Sequence, residues 1–407
     1  MKTATIISIG DELTSGRVCN TNAAFIGRFL SEFGIINQKV TVIPDQEEPI
    51  RQSLRDAYDY DYVLVTGGLG PTHDDITKNV TVDFFNTQLM EDPGLKSKLE
   101  KYFNNRKIKM SDKNYEQAQF PEKAEIIPNE IGTAAGMHFQ QENTDFFFMP
   151  GVPAEMKKML SKYIAPLLGQ KKSPNTYFKK VRTFDIGESD LYAHLQEWIN
   201  SKNDLKVAFL PQMPGVDIFL ESKKQNKVDD AVAYLTKNYN QFIYGYNDDA
   251  PSQILGVKLK EKELSIATAE SCTGGLIGDS ITNQPGSSDY FTGGIVAYSN
   301  AVKINLLEVK ESTIKNYGAV SRPTAMEMAE GIRNKFKTDI GVSTTGIAGP
   351  TGGTKEKPVG TVWIGIAGSN GTRAQRYIFN KNRITNKQAF ARCALINLIR
   401  YTERGNL

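Results

Sequence analysis

The sequence predicts an α/β protein in three parts: an N-terminal three-layer α/β domain with a mostly parallel sheet over residues 1–168, a small α+β domain over 176–246, and a second α/β domain over 251–407. Three observations predict it. Short apolar runs of strand length alternate with longer segments of helical period at both ends of the chain. Two polar, turn-rich segments, Gly169-Gln-Lys-Lys-Ser-Pro-Asn175 and Tyr246-Asn-Asp-Asp-Ala-Pro-Ser252, interrupt that alternation. A chain of 407 residues, at roughly 100–200 per domain, needs two or three cores.

From the N-terminus the pattern reads strand Thr3–Ile9, helix Ala23–Phe33, strand Gln38–Ile43, helix Ile50–Tyr58 and strand Tyr62–Thr66. Strands separated by helices pair in parallel, because only a long crossover returns the chain in the same direction. The runs Gly136–Gln140 and Asp145–Met149, joined by a few polar residues, are expected to add a hairpin, and helix Pro153–Leu168 closes the domain. The middle part reads strand Thr176–Ile186, helix Ser189–Ile199, strands Lys206–Leu210 and Val216–Ser222, and helix Lys227–Asn238. The last part alternates again: helix Ser252–Lys262, strand Leu264–Thr268, helix Gly275–Thr282, strand Gly293–Tyr298, helix Pro323–Phe336, then strands Asp339–Thr344, Thr361–Ala367 and Gln375–Phe379. A final helix, Asn386–Glu403, places Phe390, Cys393, Ala394, Leu398 and Tyr401 on one stripe, so Cys393 reads as core.

Composition excludes several classes. With 40% apolar and 23% charged residues the chain is neither disordered nor fibrous. Its 49 basic and 46 acidic residues leave a net charge of +3, so direct nucleic-acid binding is not expected. No apolar run approaches 18 residues, and the first one is stopped by Asp11 and Glu12; no membrane association and a cytoplasmic location are the expectation. Three scattered cysteines, Cys19, Cys272 and Cys393, make neither a disulfide framework nor a zinc ribbon. The only histidines are His73, His138 and His194, so any chemistry after Leu195 must proceed without imidazole.

Gly67, Gly68 and Gly70 follow the strand Tyr62–Thr66 and precede Thr72-His-Asp-Asp-Ile-Thr77, a loop suited to bringing backbone N–H groups to a phosphate. In an open parallel sheet the carboxyl ends of strands share a crevice, so Asp11, Glu12, Asp45, Asp74 and Asp75 are expected to converge there with Asn20. Carboxylates beside a phosphate repel it unless a cation intervenes, and oxygen ligands favour Mg²⁺ or Mn²⁺, with His73 able to admit a softer ion. A related string, Thr345-Gly-Ile-Ala-Gly-Pro-Thr351, shares TGxxGPT with Thr66–Thr72 and reads as the same loop solution used twice.

The C-terminal part is denser in motifs: Thr268-Ala-Glu-Ser-Cys-Thr-Gly-Gly275, Pro285-Gly-Ser-Ser288, Ala297-Tyr-Ser-Asn300 with Lys303, and the Thr345 loop. Hydroxyls and glycines gather around one lysine, and without imidazole the bases left to activate a hydroxyl are a lysine, a carboxylate or a Tyr phenolate, the lysine only if burial lowers its pKa. Cys272 is the rival nucleophile, Glu270 an N-cap or supporting carboxylate, and Arg383 a bidentate phosphate partner. The residue types leave Ser271, Ser287 and Ser288 open as nucleophile.

IGDELTSG with Asn20, VTGGLGPTHDDIT, GTAAGM at Gly132–Met137 and MPGVPAEM at Met149–Met156 resemble the molybdopterin-binding-type domain at the front of the CinA family. The resemblance implies an ADP-ribose pyrophosphatase using a divalent metal (Mg²⁺, Mn²⁺ or Co²⁺) held by Asp11, Asp74 and Asp75, with Asn20, Gly67, Gly68 and Gly70 binding substrate. AESCTGG, GSS, AYSN with Lys303, GAVS at Gly318–Ser321, TGIAGPTGGT and KPVGTV at Lys357–Val362 resemble that family's nicotinamide mononucleotide deamidase domain. It implies Ser288 as nucleophile, Lys303 as base with Tyr298 as helper, substrate contacts from Ser271, Thr273, Gly274, Thr345, Gly346 and Arg383, and no cofactor. Nicotinamide mononucleotide would lose ammonia through an acyl-enzyme, and the protein would be a homodimer. Where the family has Gly-Asp-Arg, this chain has Lys381-Asn-Arg383. The middle part resembles the family's KH-like module but lacks a GXXG loop, so a spacer or dimer contact is expected rather than RNA binding. The alternatives are binding of a molybdopterin-like cofactor and a competence-related regulatory role.

Overall fold

The computed structural model describes residues 2–72, 75–169 and 177–404, and the chain forms two compact units, Met1–Asn175 and Thr176–Leu407. The linker expected at 169–175 lies almost wholly outside the described residues.

In the first unit the strands are β1 (Thr3–Ile9), β2 (Ile36–Ile43), β3 (Tyr62–Thr66), β4 (Leu89–Glu91), β5 (Gln119–Pro121), β6 (Glu125–Ile127), β7 (Gly136–Gln141) and β8 (Thr144–Met149). Six of them form one sheet in the order β2-β1-β3-β8-β7-β6. The pairs β1·β2, β1·β3 and β3·β8 are parallel, and the expected hairpin β7·β8 adds an antiparallel edge. Alternate residues serve opposite faces. Ile7, Ile9, Val63, Val65, Phe146 and Phe148 enter one core, while Ala4, Ile6, Leu64, Phe147 and Met149 enter the other. Both faces are therefore covered, which gives the three layers that the near-continuous apolar runs predict. The segment 77–121 adds helices Thr77–Phe84 and Pro93–Asn105 and the short pair β4·β5, none of which the apolar pattern announces.

In the second unit, β9 (Tyr177–Thr183), β10 (Lys206–Gln212), β11 (Gly215–Ser222) and β12 (Ile243–Tyr246) form an antiparallel sheet in the order β10-β11-β9-β12. Helices Glu188–Asn200 and Gln225–Tyr239 pack on it through Leu191, Leu195, Val228 and Leu235. A second sheet contains β13 (Ile266–Glu270), β14 (Phe291–Val296), β15 (Ile340–Gly346), β16 (Thr361–Gly368) and β17 (Gly371–Ile378) in the order β14-β13-β15-β16-β17. Here β13 runs parallel to both β14 and β15, and β16 and β17 complete the sheet antiparallel. Helix Arg322–Phe336 and helix Arg383–Arg404 contribute to its two separate cores.

The two domains that the sequence places in this half pack together as one compact unit. Phe184 and Tyr244 of the antiparallel part are buried in the core built around helix Arg383–Arg404. Arg392 of that helix donates to Gln212 Oε1 (2.6 Å) and the Tyr244 hydroxyl (2.7 Å), and Arg400 donates to the carbonyls of Phe184 and Gln241. Aromatic burial and guanidinium bonds join the two domains across the polar boundary at Tyr246–Ser252. Among the described residues no helix is long and apolar enough to cross a membrane.

Candidate active site

Three parallel strands decide which residues can meet. Ser271 follows β13, Ala297 to Lys303 follow β14, and Thr345 ends β15, so all three lie at the carboxyl edge of the sheet. Helix Asn300–Leu307, capped by Ser299 whose side chain accepts from the Val302 amide, turns back and carries Lys303 inward.

Lys303 is 1% exposed, the deepest charged-type side chain in this sheet edge. Its Nζ lies 3.0 Å from Ser271 Oγ, 2.7 Å from the Ala297 carbonyl and 3.3 Å from the Tyr298 carbonyl. Burial holds its pKa below the ordinary lysine value. A neutral amine has two N–H bonds and one lone pair. The two carbonyls take the N–H bonds, which leaves the lone pair for the Ser271 hydroxyl proton.

Glu270 fixes the loop that carries Ser271. It is buried, and its two carboxylate oxygens accept from the amides of Gly275 (2.8 Å), Ile277 (3.1 Å) and Gly278 (2.9 Å). Gly274 and Gly275 permit the turn with φ of +65° and +101°. The Ser271 amide donates to the Thr344 carbonyl, while the amides of Thr273 and Gly274 have no backbone acceptor among the described residues. Thr273 is fully buried and Gly274 exposed, so of the two only the Gly274 amide belongs to a residue open to an oxyanion.

Several predicted roles change with this geometry. Ser288 sits exposed in the turn Ser287–Asp289 that precedes β14, at the amino edge of the sheet. The strand between it and Lys303 is six residues long, a separation of roughly 20 Å. Within one chain, therefore, Ser271 meets the lysine and Ser288 does not. Tyr298 touches Lys303 only through its carbonyl; its phenol is 65% exposed and accepts from Arg383 Nη2 at 3.2 Å. Thr273 and Thr345 are buried framework: Thr273 Oγ1 bonds Thr344 Oγ1, and Thr345 Oγ1 donates to the Ala319 carbonyl. Gly346 is where β15 passes under β16 and Cys272, since a Cβ there would lie 2.5 Å from the Thr361 carbonyl. Burial pushes the Cys272 thiol up to about 12, which removes it as a nucleophile.

Arg383 is exposed and anchored by Nη1 to the Gly349 carbonyl (2.7 Å) as well as by Nη2 to Tyr298. The departure at Lys381-Asn382 finds its explanation here. Asn382 Oδ1 accepts from the Thr385 amide (3.0 Å) and caps helix Arg383–Arg404, the function an aspartate would serve. Asn386, fully buried, ties Ala348 and Lys381 through their carbonyls and braces the same turn. Neither asparagine stands out in the sequence, although an Asx residue just before a helical run is a cap signal.

In the first unit the glycine loop is as tight as its spacing predicts. A Cβ on Gly67 would lie 2.1 Å from the Ile9 carbonyl and one on Gly68 would lie 2.0 Å from Thr77 Oγ1, and both have positive φ. Gly70 abuts the Asp75 carboxylate. Asn20 caps helix Thr21–Glu32, accepting from the Ala23 amide. Asp11 and Asp45 bond each other's amides at 3.0 and 3.3 Å, and Asp75 accepts from the Thr72 amide at 2.9 Å. Burial raises the Asp45 pKa, and the charges of Asp11, Glu12 and Asp75 raise it further. Asp74 and His73 lie outside the described residues. Among those described, no group of three or more acidic, histidine or cysteine side chains is placed to hold an ion, so Asp11 and Asp75 by themselves do not make a metal cage. His138 is structural: its ring stacks on Phe147 and bridges Glu125 and Asp145.

Three family models match the chain: "Probable molybdopterin binding domain" at residues 5–170, "Damage-inducible protein CinA KH domain" at 179–245, and "CinA C-terminal domain" at 248–402. A CinA-like protein of Chloroherpeton thalassium is 41% identical over 413 residues, covering 98% of each chain. A CinA-like protein of Salinibacter ruber is 38% identical over 401 residues, covering 96% of this chain and 97% of that protein. Among solved structures, the competence/damage inducible protein CihA of Agrobacterium tumefaciens is 38% identical with a TM-score of 0.36, covering 37% of this chain and 92% of that one.

Proposed function

The chain belongs to the CinA family, and from that premise we propose that its C-terminal part is a serine–lysine amidase that converts nicotinamide mononucleotide to nicotinate mononucleotide and ammonia. The observation that carries this reading is the buried Lys303 amine, 3.0 Å from Ser271 Oγ, with two carbonyls orienting its lone pair. Neutral Lys303 takes the Ser271 proton as Oγ attacks the carboxamide carbon, and the Gly274 amide receives the developing oxyanion. The protonated lysine then passes its proton to the departing nitrogen, which leaves as ammonia. Water, deprotonated by the regenerated amine, hydrolyses the ester to the carboxylate and frees Ser271.

Ammonia release from nicotinamide mononucleotide by the full-length protein tests the assignment. Ser271→Ala and Lys303→Met are expected to lower kcat by on the order of 10³-fold, while Ser288→Ala stays within a few-fold of the parent. A loss confined to Ser288→Ala would overturn Ser271 as the nucleophile, and no turnover by the parent would overturn the amidase reading itself.

A second reading concerns the first unit, where the close backbone approach at Gly67 and Gly68 favours a nucleotide phosphate. We propose ADP-ribose pyrophosphatase activity there. AMP release measured with and without Mg²⁺, Mn²⁺ or Co²⁺ tests it; tight pterin binding without AMP release would favour the cofactor-binding alternative.

A further inference from the structure

Two helices cover one face of the antiparallel sheet, and they leave a gap. Between the end of helix Glu188–Asn200 and the first half of helix Gln225–Tyr239 lies a cavity of about 270 Å³, near the lower end of the range for small-molecule sites. Its flat apolar wall is made by Trp198 and Tyr234, whose rings stack with centroids 4.6 Å apart and planes 3° apart, and Leu205 and Ala231 extend it. No residue of the serine–lysine site or of the first unit's glycine loop lines it.

The polar groups of the lining ask for an acceptor. Trp198 is 9% exposed, and its Nε1–H is shielded from solvent with no acceptor among the described residues, whereas a buried indole N–H ordinarily finds one. Lys202 and Lys227 also line the cavity, and neither ammonium has an ion-pair partner among the described residues. Lys202 Nζ stands instead over the Trp198 ring, 5.8 Å from its centroid. Asn203 adds a neutral amide and Asp230 is the one acid, so two lysines against one aspartate leave the lining at +1. An apolar wall, an unpaired N–H and a net single positive charge together describe a ligand with a ring and one negative charge.

We infer that this cavity is a binding site for a small arylcarboxylate, separate from both proposed catalytic sites. The ring of the ligand lies against the Trp198–Tyr234 wall. Its carboxylate sits between the Lys202 and Lys227 ammonium groups, draws Lys202 off the indole and accepts from the Trp198 N–H. A bare inorganic anion would leave the apolar wall unfilled, and an uncharged ring would leave both lysines unpaired. Neither amide hydrolysis nor pyrophosphate cleavage enters the argument, so the site stands or falls without turnover.

The indole N–H resonances of the full chain labelled with ¹⁵N-tryptophan test it. The chain has two tryptophans, and Trp363, on β16 of the other sheet, is the internal control. Trp198→Phe assigns the signals by removing one of them. Benzoate is expected to shift the Trp198 signal saturably with a midpoint below about 1 mM and to leave the Trp363 signal in place. Benzamide, which keeps the ring without the charge, and acetate, which keeps the charge without the ring, should each need at least about tenfold more. Lys202→Met and Lys227→Met should each weaken benzoate about five- to tenfold, whereas Lys237→Met, exposed on the same helix outside the cavity, should leave it unchanged. A Trp198 signal unmoved at about 10 mM benzoate, or moved equally by benzamide, would overturn the site. So would Lys202→Met and Lys227→Met proteins that bind benzoate as the parent does. Thermal midpoints within the parent's range show that the variants fold.

Discussion

Replacing Glu270 by glutamine removes one charge and changes one acceptor into a donor, with almost no change in volume. In the parent, three amides end on its carboxylate at 2.8, 3.1 and 2.9 Å, in a site 2% exposed. A glutamine can place its carbonyl oxygen to keep the Gly275 and Ile277 bonds, but its NH₂ then faces the Gly278 amide, donor against donor. Bonds to a charged acceptor are worth about 1.5–3 kcal/mol each, and a buried unpaired amide costs about 1–3 kcal/mol. Losing one bond and weakening two should cost about 2–4 kcal/mol. For a unit of this size that lowers the melting temperature by roughly 5–15 °C. Differential scanning calorimetry should show the transition of the second unit move by that amount while the first unit's transition stays. Ammonia release should fall further than stability does, because the loop that Glu270 clamps carries Ser271. A shift under about 0.5 kcal/mol with unchanged kcat would refute the clamp, since three buried charge-assisted bonds cannot be exchanged at no cost.

Lys303 is the base only when neutral, so kcat/KM should rise with pH along a limb whose midpoint lies below the ordinary lysine value, as its burial dictates; a limb whose midpoint lies at or above the ordinary lysine value would contradict this. The same depression makes the unfolded chain bind one more proton than the folded one. Stability from this group therefore rises as pH climbs between the folded and unfolded pKa values, and Lys303→Met should lack that rise in urea titrations across pH. Of the three thiols only Cys19 is exposed, while burial raises Cys272 to about 12 and Cys393 well above its usual value, so a thiol reagent at pH 8 should modify one cysteine in the native protein and three after unfolding. Gly67→Ala meets the Ile9 carbonyl and a φ of +110°, and should cost the first unit roughly 3 kcal/mol or more, whereas Gly16→Ala, with φ +70° and open space, should cost about 1 kcal/mol in the same denaturant assay. Asn382→Ala should lose about 1 kcal/mol of helix capping and weaken nucleotide KM through Arg383; Asn382→Asp should restore both, because either side chain caps the Thr385 amide.

Much of the architecture was legible because burial imposes a period on the chain. Thr3–Ile9 and Tyr62–Thr66 coincide with observed strands residue for residue, and the hairpin at Gly136–Met149 forms as its two apolar runs predict. Helix Asn300–Leu307 was not legible: at eight residues it is too short for a clear apolar stripe. The packing of the middle domain on the last was hidden because Phe184, Tyr244 and Arg392 declare nothing until they are packed together.

The candidate site divides in the same way. Its residue types were readable: a histidine-free half, one lysine among hydroxyls, and glycines at turns where positive φ now requires them. The resemblance paired that lysine with Ser288, whereas the geometry pairs it with Ser271. The strand Gly293–Tyr298 was nonetheless recognisable, and a serine before a strand and a lysine after it lie at opposite edges of a sheet. The sequence by itself determined the strands, the turns and the chemical inventory, because local sterics and hydrophobic period act over a few residues. Only the tertiary structure decided that Ser271 meets Lys303 and that Glu270 clamps the serine's loop. The first pairing depends on parallel strands ending at one edge and on a helix returning from 32 positions away, a distance over which sequence carries no geometry.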